Sequence, residues 1–122
     1  MIVLIVEDEM MVSMLLEDML ADMGHEVIGP AKSVSAAASL VASGGFDLAI
    51  LDVNLDGKSS YGIAQQLKEQ GVPFIFATGY GNAIAPEWSS IDILQKPFRS
   101  SDLERCIQSA LNKKAGISRT GG

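Results

Sequence analysis

Three short runs of uninterrupted apolar residues constrain this chain more than any other feature: Ile2–Val6 (IVLIV), Leu48–Leu51 (LAIL) and Phe74–Ala77 (FIFA). A strand with one face in water alternates apolar and polar residues, so runs this uniform belong to strands buried on both faces. A parallel sheet covered by helices provides that environment. The runs are also too short to be helices of ordinary length, and each gives way to a segment with a different period.

Those intervening segments are helical. Val12, Leu15, Leu16, Met19, Leu20 and Met23 recur on one helical face and stop at Gly24, with the methionines read as core filler rather than ligands. Glu26–Ile28 is a short second strand closed by Gly29 and Pro30. Ser33–Ser43 is a helix through Ala37, Leu40 and Val41, and Ser60–Gln70 another through Ile63, Ala64 and Leu67, ended by Gly71. Asn82–Ser90, with Gly81, Pro86 and Trp88, permits only a short or irregular helix, and Ile91–Leu94 is a fifth strand. The last helix opens on a capping box, Ser101-x-x-Glu104, and carries Leu103, Cys106, Ile107, Ala110 and Leu111 on one face. Strand–helix alternation with right-handed crossovers predicts an α/β fold, a doubly wound five-stranded parallel sheet with helices on both faces. One domain is expected over residues 1–114, with 115–122 (AGISRTGG) as a short flexible tail.

Charge narrows the function. Nine basic against fifteen acidic residues give a net charge of −6 over 122 residues, which argues against nucleic acid or an anionic membrane as the main partner and favours a cation or a basic protein surface. The opening apolar run lacks a basic flank and a cleavage site, and no stretch approaches the ~20 apolar residues of a membrane span, so a cytoplasmic location is expected. The lone Cys106 has no partner for an internal disulfide and reads as a buried structural thiol, and His25 as a turn residue.

In an open α/β sheet the functional crevice lies beyond the carboxyl ends of the strands. Glu7 and Asp8 follow the first strand, Asp52 ends the third with Asn54 two residues on, Thr78 ends the fourth, and Lys96 follows the fifth, just before Pro97. The letters from Asp52 to Gly57 (DVNLDG) also match the first half of an EF-hand calcium loop, but the twelfth position, where that loop needs a bidentate Glu, is Ile63. The strand-end set needs a different cation. Two like charges 4 Å apart repel by roughly 4 kcal/mol at an effective dielectric near 20, so three gathered carboxylates call for a bound positive charge. An oxygen-lined site with few protein ligands suits Mg²⁺ better than a caged Ca²⁺, and His25 and Cys106 fall elsewhere, leaving no zinc set. Beside such a metal the Asp52 carboxylate could attack a phosphoryl donor. Lys96, Thr78 and backbone N–H groups would stabilise the transferred oxygens.

This set, Glu7–Asp8, Asp52 with Asn54, Thr78 and the Lys96-Pro97-Phe98 turn, resembles that of CheY-like response-regulator receiver domains, and the resemblance covers Met1 to about Lys114. It implies a flavodoxin-like strand order 2-1-3-4-5 and a single-domain response regulator of a two-component phosphorelay. Asp52 would be the phosphoacceptor; Asp8, Asp52 and the Asn54 backbone carbonyl would ligate Mg²⁺, with Glu7 acting through water. Phosphate would come from a sensor histidine kinase or a phosphotransfer protein, and output would pass through a protein partner or by acting as a phosphate sink. The stretch Pro73–Gly81 (PFIFATGYG) resembles the "FATGUY" group of single-domain receivers, whose kinases often belong to the HWE class. One position departs from the common pattern: three residues before the fifth-strand lysine, where receivers usually carry Tyr or Phe, this chain has Ile93. Thr78, Tyr80 and Ile93 are therefore the switch candidates, with Tyr80 between Gly79 and Gly81 as the substitute reporter. Trp88 and Phe98 are partner-binding candidates, Trp88 being either an exposed anchor or a core residue.

Two other classes were compatible with parts of this pattern. A haloacid-dehalogenase-like phosphatase would use Asp52 as nucleophile, but such enzymes usually place a second Asp two residues on, where this chain has Asn54, and there is no room for a cap domain. A receiver fold serving as a phosphorylation-independent interaction module would not require the complete acidic set with Thr78 and Lys96.

Overall fold

The structure, a computed structural model, describes the backbone of residues 1–79 and 84–119 and the side chains of residues 1–79 and 84–113. The strands are β1 (Ile2–Val6), β2 (Glu26–Ala31), β3 (Leu48–Asp52), β4 (Asn54–Leu55), β5 (Lys58–Ser59), β6 (Phe74–Thr78) and β7 (Asp92–Gln95). The α-helices are α1 (Met10–Asp22), α2 (Val34–Ser43), α3 (Tyr61–Glu69) and α4 (Ser100–Arg119), with one turn of 3₁₀ helix at Pro86–Trp88. The main sheet has the order β2-β1-β3-β6-β7 and every pair in it is parallel. With the separate β4–β5 hairpin set aside, this is the predicted order 2-1-3-4-5. None of the described helices is long and apolar enough to cross a membrane.

The uniform apolar runs became the central strands for the expected reason. Every residue of β3 and of β6 is buried. Leu4, Val6, Ala49, Leu51, Phe74 and Phe76 point into one core with Ala37 and Val41 of α2 and Ile63, Ala64 and Leu67 of α3. Val3, Ile5, Leu48, Ile50, Ile75 and Ala77 point the opposite way, onto Leu16 and Leu20 of α1 and Leu103, Ile107 and Ala110 of α4. The alternation of side chains along a strand thus feeds two cores, one on each face of the sheet.

Several boundaries differ from the sequence-based expectation. β2 does not close at Gly29 and Pro30 but runs through both to Ala31, with a register shift against β1 between Leu4 and Val6. An edge strand tolerates proline at such an irregularity. Gly29 is needed there: at φ 99 a Cβ would lie 2.7 Å from the Ile5 carbonyl oxygen. The helix stripe of α1 is narrower than expected, since Leu15 is 44% exposed while Leu16 and Leu20 carry the burial. α4 is capped two residues earlier than the Ser101/Glu104 box: the Asp102 carboxylate accepts from the Arg99 N–H at 2.9 Å, closing the helix start at Ser100. The same helix continues to Arg119.

The two partner-binding candidates are core residues. Trp88 is 6% exposed and packs against the rings of Tyr61, Phe74 and Phe76, with centroids 6.0–6.1 Å away. The Lys68 ammonium lies 5.8 Å from its ring centre. Phe98 is 8% exposed and belongs to the core shared by α1 and α4. The 3₁₀ turn at Pro86 rolls Trp88 inward, and the Tyr61 hydroxyl accepts from the Ala85 N–H at 2.9 Å, holding that segment over β6. Trp88→Ala should therefore lower the unfolding free energy by about 3–5 kcal/mol in a urea titration, the usual cost of emptying a large aromatic site. An exposed anchor would leave stability nearly unchanged.

Candidate functional site

Strand register gathers the predicted residues at one edge. Val6 pairs with Leu51, so Glu7 and Asp52 are the next residues of adjacent strands; Asp52 pairs with Ala77, which precedes Thr78; and Thr78 pairs with Gln95, which precedes Lys96. Loop hydrogen bonds hold this alignment past the strand ends. Glu7 N–H donates to Ala31 O at 2.9 Å, Val53 N–H to Ala77 O at 3.1 Å, and Lys96 N–H to Thr78 O at 2.8 Å.

Glu7, Asp8 and Asp52 each place one carboxylate oxygen within 4.8 Å of the others. The Lys96 ammonium reaches into this group, 2.9 Å from Glu7 Oε1, 3.2 Å from Asp52 Oδ2 and 3.9 Å from Glu9 Oε1. Asp52 Oδ1 also accepts from the Asn54 N–H at 3.3 Å, and Glu7 Oε2 from the Glu9 N–H at 3.0 Å. Thr78, 4% exposed, donates its hydroxyl to Gly79 O at 3.3 Å. Of the switch candidates, Ile93 is 42% exposed on the edge strand β7, and Tyr80 lies outside the described residues.

The electrostatics of the group are strained in a definite direction. Burial raises the Glu7 carboxyl from its ordinary 4.5 to about 7, with the Asp52 charge adding to the rise and the Lys96 and Glu9 contacts opposing it. Burial alone would lower the Lys96 ammonium, but the Glu7 contact and the charges of Asp52 and Glu7 outweigh it and hold the lysine above its ordinary value. Lys96 therefore stays charged and compensates the carboxylates only in part.

The donor set fits a hard cation. Glu7 Oε1 is fully buried and has an ion-pair contact with Lys96 but no directed hydrogen bond, an unsatisfied oxygen of the kind that a metal or its bound water fills. Asp8 and Asp52 are the remaining carboxylates of the cluster, and Asn54 lies two residues beyond Asp52, at the start of β4. No nitrogen or sulfur ligand accompanies them: His25 Nδ1 contacts the chain amino group at 3.2 Å, and the partly buried Cys106 thiol contacts Ile93 O at 3.5 Å.

The sequence reading missed the β4–β5 hairpin that follows Asp52. Asp56 and Gly57 have φ values of 52 and 78, the positive pair of a two-residue type I′ turn, and the Asp56 N–H donates to Asp8 Oδ2 at 3.2 Å. The signal was present as the Asp-Gly dipeptide, which the EF-hand comparison had placed in a different loop. Glu9, beside Lys96, was also missed, and a single acidic residue in an exposed loop carries no signal of that contact.

A parallel sheet of this order, with Glu7, Asp8 and Asp52 gathered at the ends of β1 and β3 and Lys96 beyond β7, is the arrangement that the resemblance in the sequence implied. The sequence matches the response regulator receiver domain family over residues 3–108, and the chain belongs to that family. Receiver domains act in two-component signalling, are phosphorylated by histidine kinases or phosphotransfer proteins, and bind Mg²⁺ through an acidic pocket. Among curated relatives, the sensory transduction protein LytR of Staphylococcus haemolyticus is 36% identical over 115 residues, covering 90% of this chain and 43% of that protein. The transcriptional regulatory protein PdtaR of Mycobacterium tuberculosis is 29% identical over 116 residues, covering 91% and 57%. The chain spans about half the length of the curated relatives it matches, 48% and 47% for two of the ycf27 regulators. Among solved structures, SdrG from Sphingomonas melonis Fr1 is 37% identical with a TM-score of 0.84, covering 89% of this chain and 94% of that one. The receiver domain of PhyR from Erythrobacter litoralis is 34% identical with a TM-score of 0.74, covering 89% and 88%.

The raised Glu7 carboxyl makes stability depend on pH. A folded-state value above the unfolded one contributes stability that is complete below about 4.5 and is lost as pH rises through about 7. At about 1.4 kcal/mol for each pH unit the loss is on the order of 3 kcal/mol. Urea titrations in the presence of a chelator should show wild type weaker at about pH 8 than at about pH 5, with Glu7→Gln much flatter across the same interval. Equal slopes for the two proteins would contradict the assignment.

Proposed function

We propose that this chain is the phosphoacceptor receiver of a two-component phosphorelay, with Asp52 as the phosphorylated residue. The observation that carries this reading is the Lys96 ammonium 3.2 Å from Asp52 Oδ2 beside the clustered oxygens of Glu7 and Asp8. Asp8, Asp52 and the Asn54 carbonyl would hold Mg²⁺, with Glu7 acting through water. Bound there, Mg²⁺ supplies neutralising charge to the phosphoryl oxygens.

The protein's own residues account for the rest of the chemistry. An Asp52 carboxylate oxygen attacks phosphorus as the P–N bond of a donor phosphohistidine breaks, and the leaving imidazole takes a proton from solvent. Lys96, kept charged by its carboxylate neighbours, binds a phosphoryl oxygen once the group has replaced its contact with Asp52. The Thr78 hydroxyl, whose hydrogen bond among the described residues goes to its neighbour Gly79 O, can turn toward the same group. Burial of Asp52 at 6% exposure limits the water that competes with the donor.

The donor is a sensor histidine kinase or phosphotransfer protein, and the first turns of α1 offer it a contact surface. Met10, Met11, Met14 and Leu15 are 61%, 84%, 55% and 44% exposed, immediately after Glu9 at the acidic edge. Methionine surfaces adapt to different partners. The stretch PFIFATGYG supports placement in the FATGUY group and an HWE-class kinase. A BeF3-activated conformation of SdrG is known, and this chain is 36% identical to it with a TM-score of 0.79. We place the domain in the cytoplasm, signalling through a protein partner or serving as a phosphate sink.

Incubation with acetyl phosphate should give a phosphoryl adduct by intact-protein mass that requires Mg²⁺, disappears with a chelator, and is absent from Asp52→Asn. Lys96→Ala should keep the Mg²⁺ requirement but accumulate adduct at least about tenfold more slowly, the loss of one charged stabilising group. If neither acetyl phosphate nor a cognate kinase labels wild type, the domain is a phosphorylation-independent interaction module.

A further inference from the structure

The Asp8 carboxylate is held differently from its neighbours. Glu7 and Asp52 each contact the Lys96 ammonium, and each accepts from the backbone N–H two residues further on. Among the described residues Asp8 has neither a cation nor a local N–H. Among the described residues its hydrogen bond comes from the Asp56 N–H, 48 residues away, at 3.2 Å to Oδ2.

The hairpin turn presents that N–H in a fixed place. Leu55 pairs with Lys58 and Asn54 with Ser59, so Asp56 and Gly57 form the whole turn at positive φ. The base of the hairpin is fastened on three sides. Leu55 is fully buried in the core beneath α2 and α3, Ser60 donates both its N–H and its hydroxyl to Val53 O at 3.0 and 3.1 Å, and Val53 N–H donates to Ala77 O at 3.1 Å. A carboxylate that ligates a metal depends on such an outer partner to hold its rotamer.

We propose that the Asp56–Gly57 turn is a positioning element for the metal, its Asp56 N–H orienting the Asp8 carboxylate and leaving the second oxygen for the cation. Asp56 acts through its backbone and not through its own carboxylate. The proposal rests on the reading of Glu7, Asp8 and Asp52 as the Mg²⁺ set. It assigns a task to the loop between the phosphoacceptor and α3 that is separate from ligation and from phosphoryl transfer.

Titration calorimetry of the full chain with MgCl₂ tests it. Asp56→Gly keeps the N–H and the positive φ, and its Mg²⁺ affinity should stay within about twofold of wild type although a carboxylate is lost. Asp56→Pro removes the N–H and fixes φ near −65°, and its affinity should fall roughly 10- to 100-fold. At saturating Mg²⁺ the acetyl phosphate labelling rate of Asp56→Pro should return to within about twofold of wild type, because the defect lies in metal affinity and not in the transfer step. Wild-type affinity in Asp56→Pro, an equal loss in Asp56→Gly, or slow labelling that saturating Mg²⁺ does not restore would each overturn the proposal. Should Asp56→Pro not fold, Gly57→Val strains the same turn with no change at Asp56: weakened Mg²⁺ binding is expected, and wild-type binding overturns the proposal. A wild-type protein that binds no Mg²⁺ would overturn both this proposal and the reading beneath it.

Discussion

Three carboxylates share one end of a parallel sheet with a single ammonium, and most of the molecule follows from how that crowding is tolerated. Lys96 cannot neutralise Glu7, Asp8 and Asp52 together, so the metal-free fold holds a buried Glu7 whose carboxyl rises to about 7. Burying like charges together in this way lowers the stability of the metal-free fold. That is a common relation between a functional site and the fold that carries it. Under the proposed phosphoacceptor reading, the ammonium that compensates Asp52 in the resting state also lies within reach of a phosphoryl group carried there.

What holds the crowded groups in place is the sheet. Four of the five strands in the main sheet end within one residue of a site side chain, and the backbone N–H of Glu7, Val53 and Lys96 each bond to the neighbouring strand just beyond those ends. Two apolar cores, one on each face, fix the strands against sliding, because a slip of one residue would move every side chain to the other face. Edge contacts finish the frame: Asp92 on β7 accepts from Ser109 at 2.7 Å and pairs with Lys113 at 3.2 Å, tying α4 to the outer strand. The site is therefore precise because its residues sit on strand ends and not on long loops.

The parts of this arrangement that were legible in the sequence are those governed by burial on both faces and by strand ends. Ile2–Val6, Leu48–Leu51 and Phe74–Ala77 read as strands buried on both faces, and Glu7, Asp52 and Thr78, the polar residues that stop them, lie together at one end of the sheet. Features decided by tertiary contact were not legible. Trp88 carries no local sign of whether it meets solvent, and its burial depends on Tyr61, Phe74 and Phe76, which lie on two other elements. Leu15 fits the helical period of α1 as well as Leu16 does, yet only a narrow stripe of that helix meets the sheet. The β2 boundary failed because Pro30 is an end signal in a central strand but acceptable on an edge beside a register shift. The hairpin after Asp52 is a different kind of miss: Asp-Gly is a strong local signal, but strands of two residues have no period to accompany it.

Ile93, exposed on β7, brings no polar group to that strand's side of the site. An isoleucine has no hydrogen-bonding group, so a threonine that turns toward a phosphoryl group has no hydroxyl on β7 to release or recruit. The segment after β6 is instead fastened from the other side of the sheet, where the Tyr61 hydroxyl accepts from Ala85 N–H and the Tyr61 and Trp88 rings stack at 6.1 Å. Tyr61 begins α3, the helix reached directly from Asp52 through the hairpin and Ser60. The segment entered at Ala85 and the chain that runs from Asp52 through Val53 and Ser60 therefore meet at one aromatic cluster, built from Tyr61, Phe74, Phe76 and Trp88.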